Sequence, residues 1–206
     1  MNLEENKERL LLIFARNPRL GKCKTRLAAT IGDQAALDVY LILLKHTAEI
    51  TRDLNCSKEV HYTEEPVAND LWDKWTYSRH VQSGKDLGER MYNAFKSGFE
   101  SGYKKIVIIG SDIYDLNSET IEKAFAKLED SDYVIGPAAD GGYYLLGMKS
   151  INKEIFFNKK WGTNTVLEET LNNLKNKNIE LLETKNDIDV YEDLKDVDVF
   201  ETFLKV

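Results

Sequence analysis

The sequence predicts an α/β fold of three layers, αβα, built around a mostly parallel mixed sheet. Short continuous apolar runs at 9–15, 106–109 and 133–135 have the length and continuity of strands buried on both faces. Stretches with apolar residues at helical spacing separate them, so strand and helix alternate as βα repeats. A short loop through Gly141-Gly142 then joins the 133–135 run to another apolar run at 143–148. So short a connection suits an antiparallel neighbour, which makes the sheet mixed.

Taken in order, the run Arg9-Leu10-Leu11-Leu12-Ile13-Phe14-Ala15 is the first strand. From Asp33, read as an N-cap, residues Ala36, Leu37, Tyr40, Leu41, Leu44 and Ala48 recur at the spacing of a helix with one buried face. Strands are expected at 58–63 and 77–82, and a helix at 86–99 with Leu87, Met91, Phe95 and Phe99 inward. The strand at 106–109 leads to a helix over 118–128 and the strand at 133–135. Beyond the 143–148 strand, the pattern predicts a helix at 165–175, a strand at 179–183 and a final helix at 191–204. No internal repeat or Pro-rich linker interrupts the 206 residues, so they read as a single domain spanning 1–206 with 42% hydrophobic residues to fill its core.

Composition removes several function classes. With 28 Lys and Arg against 35 Asp and Glu, the formal net charge is −7, and the average surface repels a nucleic-acid backbone. The N-terminus lacks the basic start and apolar stretch of a signal peptide, and no segment is long enough to span a membrane, so a cytoplasmic location is expected. Cys23 and Cys56 form no CxxC pair and read as free thiols. His46, His61 and His80 lack the spacing of a zinc site.

Against that acidic background, the loop Arg16-Asn17-Pro18-Arg19-Leu20-Gly21-Lys22-Cys23-Lys24-Thr25-Arg26 carries five basic residues and no acidic one. Phosphates would account for it, since Arg offers a fork of donors and Lys a mobile point charge. A solvated basic loop is the alternative. A P-loop is not: that motif needs Gly where Arg16 stands and Ser or Thr where Cys23 stands, and no GxGxxG follows the first strand.

In open α/β sheets, ligands bind beyond the carboxyl ends of the strands. Asp112 of Gly110-Ser111-Asp112 falls at such an end and suits Mg²⁺ or Mn²⁺, hard cations that take one or two carboxylates and complete their shell with phosphate and water. Asp115 and Asn117 are better read as capping the following helix. Asp189 could supply a second carboxylate to the same ion, or form a capping box with Glu192; the spacing allows both. Two glycine loops complete the set, one around Gln82 and Gly84, the other Gly136-Pro137-Ala138-Ala139-Asp140-Gly141-Gly142-Tyr143 with Asp140 at its centre.

These motifs resemble the bacterial DUF2064 group, also described as radical-SAM/selenodomain-associated transferase 1, of the nucleotide-diphospho-sugar transferase (GT-A) fold. The resemblance runs from Phe14 to about Leu194. It is carried by Gly21-x-Lys-Thr-Arg-Leu27, Gln82-x-Gly-x-Asp-Leu-Gly-Glu-Arg90, Gly110-Ser-Asp112, Gly136-Pro-x-x-Asp-Gly-Gly-Tyr143, Trp161-Gly-Thr163 and Asp187-x-Asp189. It implies that Lys24 and Arg26 contact phosphates, that Asp112 and Asp189 hold the metal, and that the Asp140 loop borders the acceptor. The resulting assignment makes Lys24, Arg26, Asp112 and Asp140 catalytic. Arg16, Lys22, Lys24, Thr25, Arg26, Gln82, Gly84, Gly141, Gly142 and Thr163 contact the nucleotide. The departure is Ile113-Tyr114, where the family usually has a small residue followed by Pro, which would stiffen the turn carrying Asp112.

The expected activity is metal-dependent, glycosyltransferase-like transfer from a nucleoside-diphosphate sugar to a small acceptor. One alternative is a nucleotidyltransferase that joins a nucleoside triphosphate to a phosphorylated acceptor and releases pyrophosphate. A dense basic loop and the absence of Asp-x-Asp at Asp112-Ile113-Tyr114 favour it, and the absence of a Gly-rich start opposes it. A nucleotide-binding protein without catalysis is the third reading.

Overall fold

The structure is a computed structural model that describes residues 7–66 and 70–204. Seven strands, β1 (Arg9–Ala15), β2 (Ser57–Tyr62), β3 (Ser78–Val81), β4 (Lys105–Ile109), β5 (Tyr133–Pro137), β6 (Tyr143–Met148) and β7 (Ile179–Leu181), form one sheet in the order β3-β2-β1-β4-β6-β5-β7. All neighbouring pairs are parallel except those of β6, which runs antiparallel to both β4 and β5. The mixed sheet expected from the Gly141-Gly142 loop is therefore present.

Alternation along the strands sorts the core into two layers. Leu11 and Ile13 of β1 with Val107 and Ile109 of β4 face a first layer, covered by α1 (Thr25–Ile31), α2 (Asp33–Thr51) and α4 (Ser118–Lys127). Leu10 and Leu12 with Ile106 and Ile108 face a second, covered by α3 (Leu87–Glu100) and α5 (Val166–Asn173). Both β1 and β4 are buried along nearly their whole length, which is why their sequences read as continuous apolar runs instead of alternating ones.

Local chemistry explains the boundaries. The Asp86 side chain accepts from the Glu89 amide at 2.9 Å and Glu89 Oε2 accepts from the Lys85 amide at 2.8 Å, a reciprocal cap that starts α3. Asn117 caps α4 by accepting from the Thr120 amide. At α2 the capping residue is Gly32, so Asp33 belongs to the first turn, where its charge faces the positive end of the helix dipole.

Besides Asp33, which is not the N-cap, and Leu87, which is 44% exposed instead of inward, two larger expectations are corrected. The basic loop is shorter than its composition suggests, because α1 begins inside it at Thr25 and buries Leu27 and Ile31, four residues apart, against the first layer. The final helix over 191–204 does not form. In its place stand two 3-10 turns at Tyr191–Leu194 and Asp198–Phe203. Asp193 accepts from the amides of both Asp189 and Val190, which fixes a tight turn, and the run Asp196-Val197-Asp198-Val199 is composed of poor helix formers.

Candidate functional site

The chain direction switches between β1 and β4: segments after β1 run towards β3, those after β4 towards β7. A cavity of about 640 Å³ opens there, beyond the carboxyl ends of these strands, as expected for an open α/β sheet. Its two walls come from opposite faces of the sheet. The basic loop and Tyr40 supply the first-face wall; the start of α3 and the segment preceding α5 supply the second.

The first wall is held to the sheet by a buried phenol. The Tyr40 hydroxyl accepts from the Arg16 amide at 2.7 Å, bonds the Arg16 carbonyl at 3.1 Å, and lies 3.2 Å from Ser111 Oγ. Burial pushes the phenol pKa far above its ordinary value, so it stays protonated as a linker. The chain then reaches Lys24, which adopts the left-handed conformation (φ 48°, ψ 47°) before α1. Such a backbone is costly for a residue other than Gly, and at Lys24 it accompanies a buried cation, its side chain only 7% exposed.

Lys24 Nζ is where the expected metal ligands meet. It lies 3.1 Å from Asp112 Oδ2 and 3.9 Å from Asp189 Oδ1, while Arg26 Nη1 takes the other oxygen of Asp189 at 2.8 Å. Residues 24, 112 and 189 therefore converge, although they belong to three distant segments. Asp189 does not form the capping box that its spacing allowed; Asp193 takes the local amides and leaves the Asp189 carboxylate to the cavity. Gly110 enables the approach of Asp112, since a Cβ at 110 would stand 2.8 Å from Asp112 Oδ1. The amide of Ile188 donates to the Asp112 carbonyl at 3.0 Å and ties the two acidic segments together. Tyr114, the departure from the family pattern, packs against His46 and Phe200 at 4.6 and 5.4 Å between ring centroids, so packing anchors the turn where Pro would stiffen it.

Asp187 and Asp140 also line the cavity. Burial, followed by the nearby charges of Asp112 and Asp140, pushes the Asp187 carboxyl up from 3.8 to about 6. Among the described residues no side chain pairs with it. Asp187 is thus a cavity carboxylate without a direct partner, although the lining as a whole carries five cations, Arg16, Lys22, Lys24, Arg26 and Arg90, against four carboxylates.

The metal expectation can be tested on this donor set. No cluster of three or more His, Cys, Asp or Glu among the described residues is arranged to hold an ion alone. Two carboxylates converging on one cationic position, with a third left uncompensated, instead fit Mg²⁺ or Mn²⁺ bound partly through a ligand's phosphates and water.

Of the remaining residues singled out in the sequence, Arg16, Lys22, Thr25, Gln82, Gly142 and Thr163 line the cavity. The amide nitrogen of Gln82 is already used, donating to the carbonyls of His61 and Ala15 at the strand ends. Gly84 and Gly141 do not line the cavity. A Cβ on Gly84 would lie 2.7 Å from the Arg90 amide nitrogen, and one on Gly141 would lie 2.2 Å from the Asn164 carbonyl oxygen, so both are close-approach positions behind the wall. Tyr40, Arg90, Trp161 and Asp187 are cavity residues that were not selected from the sequence. For Arg90, Trp161 and Asp187 a signal existed, because each stands within one of the quoted motifs. Tyr40 carried none, since a buried helical Tyr reads as core.

Comparison with known proteins agrees with this architecture. The family model described as "Uncharacterized protein conserved in bacteria (DUF2064)" matches residues 46–163. A crystal structure of a provisionally named nucleotide-diphospho-sugar transferase from Desulfovibrio desulfuricans G20 superposes with a TM-score of 0.83 at 29% identity, covering 96% of this chain and 94% of that one. A cytidylyltransferase from Leptospira borgpetersenii serovar Hardjo-bovis (strain JB197) gives 0.61 at 17% identity, over 90% of this chain and 83% of that one. A CMP:2-keto-3-deoxy-manno-octonic acid synthetase complexed with CTP gives 0.58 at 10%, over 95% and 98%. The last two likenesses establish the fold alone. No curated protein matches the sequence significantly.

Proposed function

The chain belongs to the DUF2064 family, and from that premise we propose that it is a nucleotide-using transferase whose reaction takes place over Lys24, Asp112 and Asp189. The observation that carries this reading is the convergence of those three side chains on one wall of a cavity whose rim is basic. The loop from Arg16 to Arg26 would take the phosphates of an activated nucleotide. Asp112 and Asp189 would hold Mg²⁺ or Mn²⁺, which when bound supplies Lewis-acid neutralisation of phosphate charge.

The chain's own residues account for the rest. Lys24, held between two carboxylates, is pre-positioned to transfer its contact to a phosphate oxygen as negative charge develops there. Arg26 holds Asp189 in place while presenting its remaining donors at the rim. Tyr40 keeps the Arg16 backbone fixed to the end of β4, so the loop costs little to order on binding. Asp140 borders the second wall, and its carboxylate accepts from the Gly142 amide at 2.8 Å, fixing the loop that would face an acceptor.

Two reactions fit this site. Transfer from a nucleoside-diphosphate sugar draws support from the name of the Desulfovibrio protein. Nucleotidyl transfer is favoured by Arg16 and Lys22, which line the cavity without an ion-pair partner among the described residues and so leave cationic capacity for a third phosphate. A thermal-shift screen of nucleoside triphosphates and nucleotide sugars, with and without Mg²⁺, tests the proposal, because a ligand of the native state raises its melting temperature. A Mg²⁺-dependent shift with triphosphates selects nucleotidyl transfer, and one with nucleotide sugars selects glycosyl transfer. No shift with any of them overturns the transferase reading.

A further inference from the structure

The second wall of the cavity contains one cation that the nucleotide reading does not use. Arg90 lies in the first turns of α3, on the sheet face opposite α1, half-buried and within the cavity lining. Its Nε donates to the Gly84 carbonyl at 3.2 Å. That bond depends on the glycine: at φ +146° the backbone of residue 84 lies so close to α3 that a Cβ would meet both the Arg90 amide and the Glu89 carbonyl carbon within 3 Å. One nitrogen of the guanidinium is thereby anchored. The two terminal nitrogens have no hydrogen-bond or ion-pair partner among the described residues. The nearest acidic side chain in sequence, Glu89, is occupied with the Lys85 amide.

Arg90 shares the cavity with a set of apolar side chains, Leu87, Met91, Tyr143, Leu146 and Trp161. Trp161 is seated by another close approach, since a Cβ on Gly88 would lie 2.2 Å from its ring nitrogen, and it meets Tyr143 edge-to-face at 6.2 Å. A half-buried guanidinium with two terminal nitrogens left over and one nitrogen anchored presents a planar fork that suits a carboxylate or phosphate.

We propose that Arg90 is a specificity-determining residue for the acceptor, which carries a carboxylate or phosphate monoester on an apolar body that packs on Leu87, Met91 and Trp161. This rests on the transferase reading for the word acceptor; the anion site itself rests only on Arg90 and its neighbours. The bidentate anion is a handle remote from Lys24 and Asp112, and Arg90 takes no part in bond making.

Benzoate, phenyl phosphate and the neutral benzyl alcohol, titrated calorimetrically into the full chain, test the proposal. The expected result is that benzoate or phenyl phosphate binds at least about ten-fold more tightly than benzyl alcohol. Arg90→Gln removes that advantage, a factor equal to one charge-assisted hydrogen bond. Arg90→Lys, which keeps the charge and loses the fork, retains part of it. Whichever anion prevails identifies the acceptor's charged group. The melting temperature of each variant without ligand separates loss of the site from loss of the fold. In parallel, an equimolar mixture of ATP, CTP, GTP and UTP with Mg²⁺ should shift the melting of wild type and Arg90→Gln equally. Equal anion affinity in Arg90→Gln, equal affinity for benzyl alcohol, no binding of either anion, or loss of the nucleotide shift in Arg90→Gln would each overturn the assignment. If neither the mixture nor any nucleotide sugar of the screen shifts either protein while anion binding still depends on Arg90, the anion site stands and the nucleotide reading falls.

Discussion

Two aspartate clusters on the same sheet have opposite electrostatic fates. Near the β3 edge, Asp70 receives Arg79 Nε at 2.8 Å and Nη2 at 2.6 Å, the Tyr62 hydroxyl at 2.8 Å and the Trp72 amide at 3.2 Å. Burial alone would push its carboxyl up, but the Arg79 and Tyr62 bonds outweigh it and hold the group below the ordinary value of 3.8. Arg79 also donates to the Trp72 carbonyl, which closes the network. At the strand ends, Lys24 faces Asp112 and Asp189, Arg26 takes Asp189, and Asp187, with no side-chain partner among the described residues, is left at about 6. The first cluster is complete within the protein. The second leaves Asp187 without a partner and its carboxyl raised instead of lowered, which is the mark of a candidate site instead of a brace.

Substitution should separate the two clusters. Asp112→Ala removes a carboxylate from the pair proposed to hold the ion, and turnover of any substrate found by the nucleotide screen should fall by about 100- to 1000-fold, the cost of losing one pre-organised electrostatic group. The melting temperature should fall less than in Asp70→Ala, because Lys24 Nζ keeps Asp189 at 3.9 Å and the loss of Asp112 removes a charge that disfavours the Asp187 carboxylate. A large fall in melting temperature with activity retained would reverse the roles of the two clusters.

Asp70→Ala should do the opposite. It strands Arg79 and the Tyr62 hydroxyl in partial burial, at a cost of about 2–3 kcal/mol. In a domain of this size that is a fall of about 4–12 °C in melting temperature. Nucleotide-induced shifts, measured from the new baseline, should be unchanged.

The pH dependence sharpens the same contrast, with opposite signs. A depressed carboxyl such as Asp70 contributes stability that is full above 3.8 and is lost as pH falls through its lower folded value. A raised one such as Asp187 contributes stability that is full below 3.8 and is lost as pH rises through about 6. Without divalent cation, Asp187→Asn should therefore melt higher than wild type at pH 7.5, and the advantage should shrink as pH falls towards 4. Asp70→Asn should melt lower at both pH values and converge on wild type only in stronger acid. Identical pH profiles for the two variants would show that the clusters do not differ in the way described.

How much of this could be read in the sequence depends on the range of the forces involved. β1 and β6 were legible to the residue because burial on both faces leaves an unbroken apolar run, and the antiparallel step followed from the shortness of the Gly141-Gly142 loop. The C-terminal helix was misread because hydrophobic spacing says nothing of a carboxylate such as Asp193 turning back onto amides three and four residues earlier. In the site, Asp112 and the basic loop stood out by local charge. The meeting of Lys24 with Asp189 joins segments more than 160 residues apart, and the raised carboxyl of Asp187 depends on burial and on Asp112 and Asp140 from other segments, neither of which a local pattern encodes. Gly84 and Gly141 were legible as constrained positions, but the sequence did not show the close packing against Arg90 and Asn164 that constrains them.

Tyr40 shows how a residue without a sequence signal can still govern the site. Its ring belongs to the first core layer and its hydroxyl joins the Arg16 backbone to Ser111, one residue before Asp112. Tyr40→Phe keeps the packing and removes the link, so the expected loss of stability is about 1 kcal/mol, that of one internal hydrogen bond. The Arg16 amide and carbonyl then lose their buried partner, and the loop gains freedom that ligand binding must remove again. Affinity for the nucleotide selected by the screen should fall by about three- to ten-fold, with no change in its dependence on Mg²⁺, since Asp112 and Asp189 are untouched. A changed Mg²⁺ dependence would instead show that Ser111, freed from Tyr40, carries the Asp112 turn with it, and the two walls of the charge cluster would have to be treated as one moving part.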